Sequence, residues 1–113
     1  MADECIFCKI ASGQIPVTPV FADDEFIAIH DLNKQAPVHV LVIPRQHYPT
    51  IMDVPDEGLL GRAIRAANEV ARIMKVDESG YRLVVNTRDD GGQTIDHLHV
   101  HVLGGRFLQW PPG

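Results

Sequence analysis

His97-Leu98-His99-Val100-His101-Val102-Leu103 alternates imidazoles with aliphatic side chains in strict two-residue steps. Successive side chains leave a β-strand on opposite faces, so three histidines share one side and Leu98, Val100 and Val102 enter a core on the other. Same-face neighbours sit about 6.5–7 Å apart at a rise of about 3.3 Å per residue. Imidazoles spaced in this way can surround one phosphorus centre, one attacking it while others hold its oxygens or assist a leaving group. Histidine suits the task because it is a nucleophile when neutral, a donor when protonated, and changes state near neutral pH. A rival reading stays open, since His-x-His on a strand can also chelate zinc.

The residues just upstream favour phosphate. Gly91 and Gly92 let backbone amides approach an anion, and Gln93 and Thr94 add side-chain donors. Asn86, at the end of the preceding apolar run, can present its amide to the same oxygens. A glycine pair alone would be an ordinary hairpin turn.

Further out, the pattern predicts an α+β domain. Asp3 can cap a short helix from about residue 5 to 12, ended by Gly13 and Pro16. Residues 17–21 and 26–30 read as strands joined by a turn at Asp23-Asp24, and residues 39–44 as a central strand. Leu60, Ile64, Ala67, Val70, Ala71 and Met74 recur at three- and four-residue steps, predicting one long amphipathic helix over 56–74, closed near Gly80. Residues 81–86 form another strand, 89–92 a turn, and 97–103 the last strand, ended by Gly104-Gly105. The tail Trp110-Pro111-Pro112-Gly113 cannot pair inside a sheet. The expected architecture is an antiparallel sheet of about five strands with one long helix and a short N-terminal helix, in a single domain over residues 1–113.

Bulk properties narrow the function. The net charge of −5 and the pI near 5.6, with ten scattered basic residues, argue against a nucleic-acid surface. A phosphate can still bind at one local site. No apolar run reaches membrane-spanning length, and the acidic start lacks an apolar leader, so the expected location is the cytoplasm without membrane association. Reduced thiols are expected there, and Cys5-x-x-Cys8 reads as metal or redox chemistry before a disulfide. On a helix, residues three apart share a face, so both sulfurs can meet one ion.

The histidine segment resembles the signature of the histidine-triad (HIT) family, in which three histidines alternate with apolar residues. The resemblance runs along nearly the whole chain. Cys5-Ile6-Phe7-Cys8-Lys9-Ile10, His30-Asp31, Gln35-Ala36-Pro37, the run from His39 to Pro44, His47, Asn86, Asp90-Gly91-Gly92-Gln93-Thr94, Leu103-Gly104-Gly105-Arg106 and the final Trp110-Pro111-Pro112-Gly113 all match its Hint branch. That ending separates the branch from the family's dinucleoside polyphosphate hydrolases.

The resemblance implies a HIT-like fold and hydrolysis of purine nucleoside phosphoramidates. His99 matches the nucleophile that forms a nucleotidyl-imidazole intermediate. His101 matches the residue that contacts phosphate oxygens and helps the leaving group, with His97 and His39 in support. Asn86, Gly92, Gln93 and Thr94 match the phosphate side. Asp31 matches the carboxylate that accepts from the ribose hydroxyls, and Ile6, Phe7, Ile10, Ile29, His30 and Leu32 match the base pocket. For these apolar residues, ordinary core packing is the competing account. No cofactor is implied for catalysis. Cys5, Cys8, His47 and His97 match a structural zinc site of some bacterial relatives, a closed Cys₂His₂ set by ligand type. The resemblance also implies a homodimer that carries Trp110 beside the partner's leaving group. Pairing would add apolar burial to a chain of 113 residues. Two other functions compete: a nucleotide-binding scaffold with minor hydrolysis, and a dinucleoside polyphosphate hydrolase.

Overall fold

In a computed structural model that describes residues 4–113, the histidine segment runs into the interior of a five-stranded antiparallel sheet. The elements in chain order are α1 (Ile6–Ala11), β1 (Phe21–Ala22), β2 (Phe26–His30), β3 (Val38–Pro44), a single 3₁₀ turn (Ile51–Asp53), α2 (Glu57–Ile73), β4 (Tyr81–Val84), α3 (Arg88–Gly91) and β5 (Val100–Gly104). The strand order is β1-β2-β3-β5-β4. The last strand is therefore inserted between β3 and β4, with Leu41 opposite His101 and Val84 opposite His101 on its other side.

Both faces of the sheet are covered, which explains why β2 and β3 read as apolar runs rather than alternating ones. Phe26, Ala28, Val40, Val42, Leu98, Val100 and Val102 meet α2 in the main core. Ile27, Leu41 and Ile43 meet Phe7 and Ile10 of α1 in a second, smaller one. The histidines lie on this second face. No helix among the described residues is long and apolar enough to cross a membrane.

Asp56 caps α2 by accepting from the Gly58 N–H, and Glu57 places negative charge at the positive helix end. The buried stripe is Leu59, Ala63, Ala66, Ala67, Val70 and Ala71, whereas Ile64, expected to face the core, is exposed. Four of the six buried residues are alanines, which let the helix backbone lie close to the sheet. The larger Leu60 and Ile64 flank that stripe. The helix ends at its Met74 cap, within the expected 56–74, and Lys75 in the left-handed region at φ 61° closes it in place of Gly80.

Other boundaries differ for stated reasons. Residues 17–19 form no ladder, because Pro16 and Pro19 lack an N–H; the Val20 N–H donates to the Ala28 carbonyl at 2.8 Å, and β1 begins at Phe21. Residues 88–91 form a short helix closed by Gly92 in the left-handed region, φ 79°, rather than a bare turn. The expected last strand over 97–103 is Val100–Gly104, and β4 correspondingly stops at Val84 rather than at Asn86. Residues 97–99 leave the ladder because the Leu98 N–H donates instead to the Tyr48 carbonyl, at 2.7 Å. The alternation of faces nevertheless persists through them, with Leu98 buried in the main core. Asp3 lies outside the described residues, and Cys5 occupies the cap position of α1, accepting from the Cys8 N–H.

Gly104 closes β5 against Val76, where a Cβ would lie 3.0 Å from two carbons of the buried valine. Gly104→Ala should therefore overpack this corner and destabilise the fold by about 1–3 kcal/mol. A urea midpoint equal to that of the unmodified protein would show that Val76 yields freely.

Candidate active site and metal cluster

The site is assembled from imidazoles whose protons are assigned by their neighbours. A carbonyl oxygen can only accept and a backbone N–H can only donate, so each such contact fixes one ring nitrogen. The His99 Nδ1 donates to the His97 carbonyl at 2.7 Å, which leaves the Nε2 lone pair of neutral His99 free. That is the nitrogen a nucleophile needs. His99 itself is buried, and the edge-to-face ring of Phe7, 5.2 Å away between centroids, holds its plane.

The neighbouring ring carries the opposite function. The Gln35 backbone N–H donates to His39 Nδ1 at 3.0 Å, so the His39 proton resides on Nε2. His39 Nε2 lies 2.9 Å from His101 Nδ1 and 3.3 Å from a carboxylate oxygen of Asp31. His101 Nδ1 is thus an acceptor, and the proton of neutral His101 sits on Nε2. That Nε2 is buried and has no hydrogen-bond partner among the described residues. Leaving a buried N–H unpaired costs about 1–3 kcal/mol, and a phosphate oxygen or leaving atom would satisfy it. The His99 and His101 rings are 5.0 Å apart between centroids. Bare nitrogen and unpaired N–H therefore stand side by side.

Sheet register explains the contact between His39 and His101. Leu41 opposes His101, and His39 opposes Leu103, so the two histidines are diagonal neighbours on one face. Burial holds both imidazoles below their ordinary pKa, His101 down to about 4, with the Asp31 charge opposing the shift. The neighbouring His99 and His39 push His101 in the same direction as burial.

His97 does not share this task. Completely buried, it donates from Nε2 to the Pro44 carbonyl at 2.8 Å, which turns the Nδ1 lone pair toward Cys5 Sγ at 3.2 Å and Cys8 Sγ at 3.5 Å. His47 Nδ1 joins at 3.1 Å from His97 Nδ1 and 3.3 Å from Cys8 Sγ. These four donor atoms lie within 4.8 Å of one another. The edges of a tetrahedron with metal–ligand bonds of about 2.1–2.3 Å are about 3.4–3.8 Å, close to these spacings. Burial, with the neighbouring Cys5, raises the Cys8 thiol to about 11, so a thiolate there needs a cation beside it. The donor set fits zinc.

The remaining expected residues separate into groups. Phe7 and Ile10 are buried with Ile29 packed against them, while Ile6, His30 and Leu32 are exposed. Asp31 accepts from the Asn33 N–H at 2.8 Å besides facing His39. Gln93 spends its side-chain amide on the Pro49 and Ile95 carbonyls and accepts from the Arg88 N–H, so it braces the loop that carries Gly92 and Thr94. Thr94 lines a cleft of about 560 Å³ with Cys5, Ile6, His47, Pro49 and Asp96, beside the thiol cluster and not over His99. Asn86 is half-buried behind that loop. Trp110 is exposed, with the Arg82 guanidinium 5.8 Å from its ring. Sequence reasoning missed the Gln35 backbone as a participant, since an amide hydrogen leaves no mark in residue type.

Alternating histidines on a sheet, with His99 oriented by a backbone carbonyl and a glycine loop beside them, define the site of a histidine-triad protein. The HIT domain pattern matches residues 12–108, and the chain belongs to that family. It is 46% identical over 110 residues to the purine nucleoside phosphoramidase of Escherichia coli K12, covering 96% of this chain and 92% of that one. An uncharacterized HIT-like protein of Synechocystis is 44% identical over 115 residues and the full length of both. Among solved structures, the HIT family hydrolase of Legionella pneumophila superposes with a TM-score of 0.92 at 48% identity, covering 96% of this chain and 99% of that one.

The lowered His101 pKa has a stability consequence. The unfolded chain takes up this proton near 6.5, and the folded one only near 4, so between those values the unfolded state binds more protons. Stability contributed by keeping His101 neutral is full above 6.5 and drains away as pH falls through that window. His101→Asn should flatten the fall in melting temperature between pH 6.5 and 4 relative to the unmodified protein. Parallel curves would show that His101 titrates alike in both states.

Proposed function

We propose that this chain hydrolyses purine nucleoside 5′-phosphoramidates through a nucleotidyl-histidine intermediate on His99. The observation that carries the reading is the pairing of a bare His99 Nε2 with the unpaired Nε2–H of His101 on the adjacent ring. His99 Nε2 attacks the α-phosphorus and the P–N bond breaks, releasing the amine. Water then cleaves the P–Nε2 bond and frees the nucleoside monophosphate. Throughout, His101 donates to phosphate oxygen or to the departing nitrogen, and His39 holds its orientation. In this proposal, Asp31 accepts from the ribose hydroxyls and the apolar surface around Phe7, Ile10 and Ile29 receives the base. Asn86, Gly92 and Thr94 line the phosphate side, and Gln93 acts through the loop it braces. The E. coli relative named as a purine nucleoside phosphoramidase supports the choice of substrate class.

His99→Ala should lower turnover of adenosine phosphoramidate by at least about 10³-fold, as loss of a covalent catalyst does. The same variant should still bind AMP, and mass spectrometry of the unmodified protein should trap a nucleotidyl adduct on His99. Turnover within about tenfold of the original would remove His99 from this role.

We further propose that Cys5, Cys8, His47 and His97 hold a structural zinc ion and that the chain works as a homodimer. Zinc in a closed site supplies folding free energy, while the chemistry stays with the side chains of the opposite ring pair. Pairing is supported by β4 at the sheet edge and by the exposed Phe107 and Trp110 beyond β5. In the proposed dimer the Trp110 segment reaches the partner's leaving-group side. Native mass spectrometry of protein prepared without chelators should return a dimer with up to one zinc per chain. A metal-free species, or a monomer at micromolar concentration, would reject the corresponding half of this proposal.

A further inference from the structure

The chain of fixed protons that ends at His101 begins outside the triad. The Arg106 guanidinium donates to the Gln35 carbonyl at 2.8 Å, and the Gln35 N–H in turn donates to His39 Nδ1. Gly105 permits this approach: at φ 90° it presses so near the loop that a Cβ would lie 2.9 Å from Pro37 Cβ. Within that loop the Asn33 N–H donates to Asp31 and the Gln35 side chain to the Asn33 carbonyl, while the Asp31 N–H closes the loop on the His39 carbonyl at 2.9 Å. Gln35 itself is exposed beside the buried Ala36, so its own side chain adds little burial to hold the amide in place.

The consequence of losing the Gln35 amide follows from imidazole tautomerism. Freed of that donor, His39 holds its proton on Nε2 only through the Asp31 carboxylate 3.3 Å away, and where the proton moves to Nδ1 a bare Nε2 faces His101. His101 Nδ1 would then become the donor, and its Nε2 would lose the proton. A lone pair would face the phosphate where a donor is needed, and His101 would no longer donate to it. One surface guanidinium, together with the Asp31 carboxylate, thus weights two chemically opposite states of a half-buried ring.

We propose that Arg106 is a positioning residue for the reaction, clasping the Gln35 backbone so that His39 and then His101 keep the tautomers that present the His101 Nε2–H to substrate. The proposal rests on the phosphoramidate reading only for its kinetic arm. Its structural arm is read directly from the imidazoles.

The test uses the full chain, with Arg106→Met, which keeps the stem and removes the donors, and Arg106→Lys, which restores one donor. Long-range ¹H–¹⁵N spectra at neutral pH should show His101 protonated on Nε2 alone in the unmodified protein. Arg106→Met should show a mixture of tautomers at His39 and His101, and Arg106→Lys should recover the single form. With adenosine phosphoramidate, kcat of Arg106→Met should fall about tenfold or more with KM within about threefold, because orientation and not ground-state binding is lost. Arg106→Lys should regain most of it. An unchanged His101 tautomer in Arg106→Met overturns the proposal, whatever happens to kcat. Wild-type kcat with a mixed tautomer overturns it too. If the unmodified protein turns over no phosphoramidate, the functional reading fails, and the spectra alone decide the role of Arg106.

Discussion

A backbone group beside an imidazole leaves that ring one choice, and three such contacts organise this protein. The Pro44 carbonyl, the His97 carbonyl and the Gln35 amide each hold one nitrogen of His97, His99 and His39. The free nitrogens then do different things: one joins two thiols, one is bare, and one passes its constraint to His101. Chemically identical side chains acquire distinct roles without any difference in residue type. Burial reinforces this by keeping His39, His97 and His101 uncharged, so their neutral tautomers matter at neutral pH.

The two-sided sheet makes those contacts possible. Because α2 seals one face with a stripe rich in alanine, β3 and β5 can lie flat beneath it and present their histidines to the other. On that other face α1 covers only part of the surface, with Phe7 wedged against His97 and His99. The short helix therefore serves twice, as the second core and as the carrier of Cys8, with Cys5 at its cap.

Much of this was readable from residues alone, and the failures share a cause. Alternation in the histidine segment gave the faces correctly even where the strand itself was shorter, because face depends on local pleat and the ladder depends on a partner. The Tyr48 carbonyl that draws Leu98 away is 50 residues distant and invisible to a local pattern. Ile64 misled for a similar reason: a helical stripe fixes which residues share a side, while the depth of packing is decided by the sheet it meets. Resemblance to the family brought Cys5, Cys8, His47 and His97 together as a group, and the structure places their donor atoms together. By contrast Gln35 acts through its backbone amide and carbonyl, which leave no chemical signature in the sequence, so the side chain of Arg106 had no visible partner there.

The thiol and imidazole cluster also bears on the order in which the chain is made. Cys5 and Cys8 emerge first during synthesis, whereas His97, their partner at 3.2 Å and 3.5 Å, lies 92 and 89 positions later. β5, inserted between two strands already made, arrives at the same late moment. A nascent chain released before residue 97 can display thiols and a partial sheet, yet it can neither gather the four donors nor orient His99. The carbonyl that orients His99 belongs to His97, the last residue to complete that set. Gathering of the four donors and orientation of the His99 ring thereby depend on the same residue.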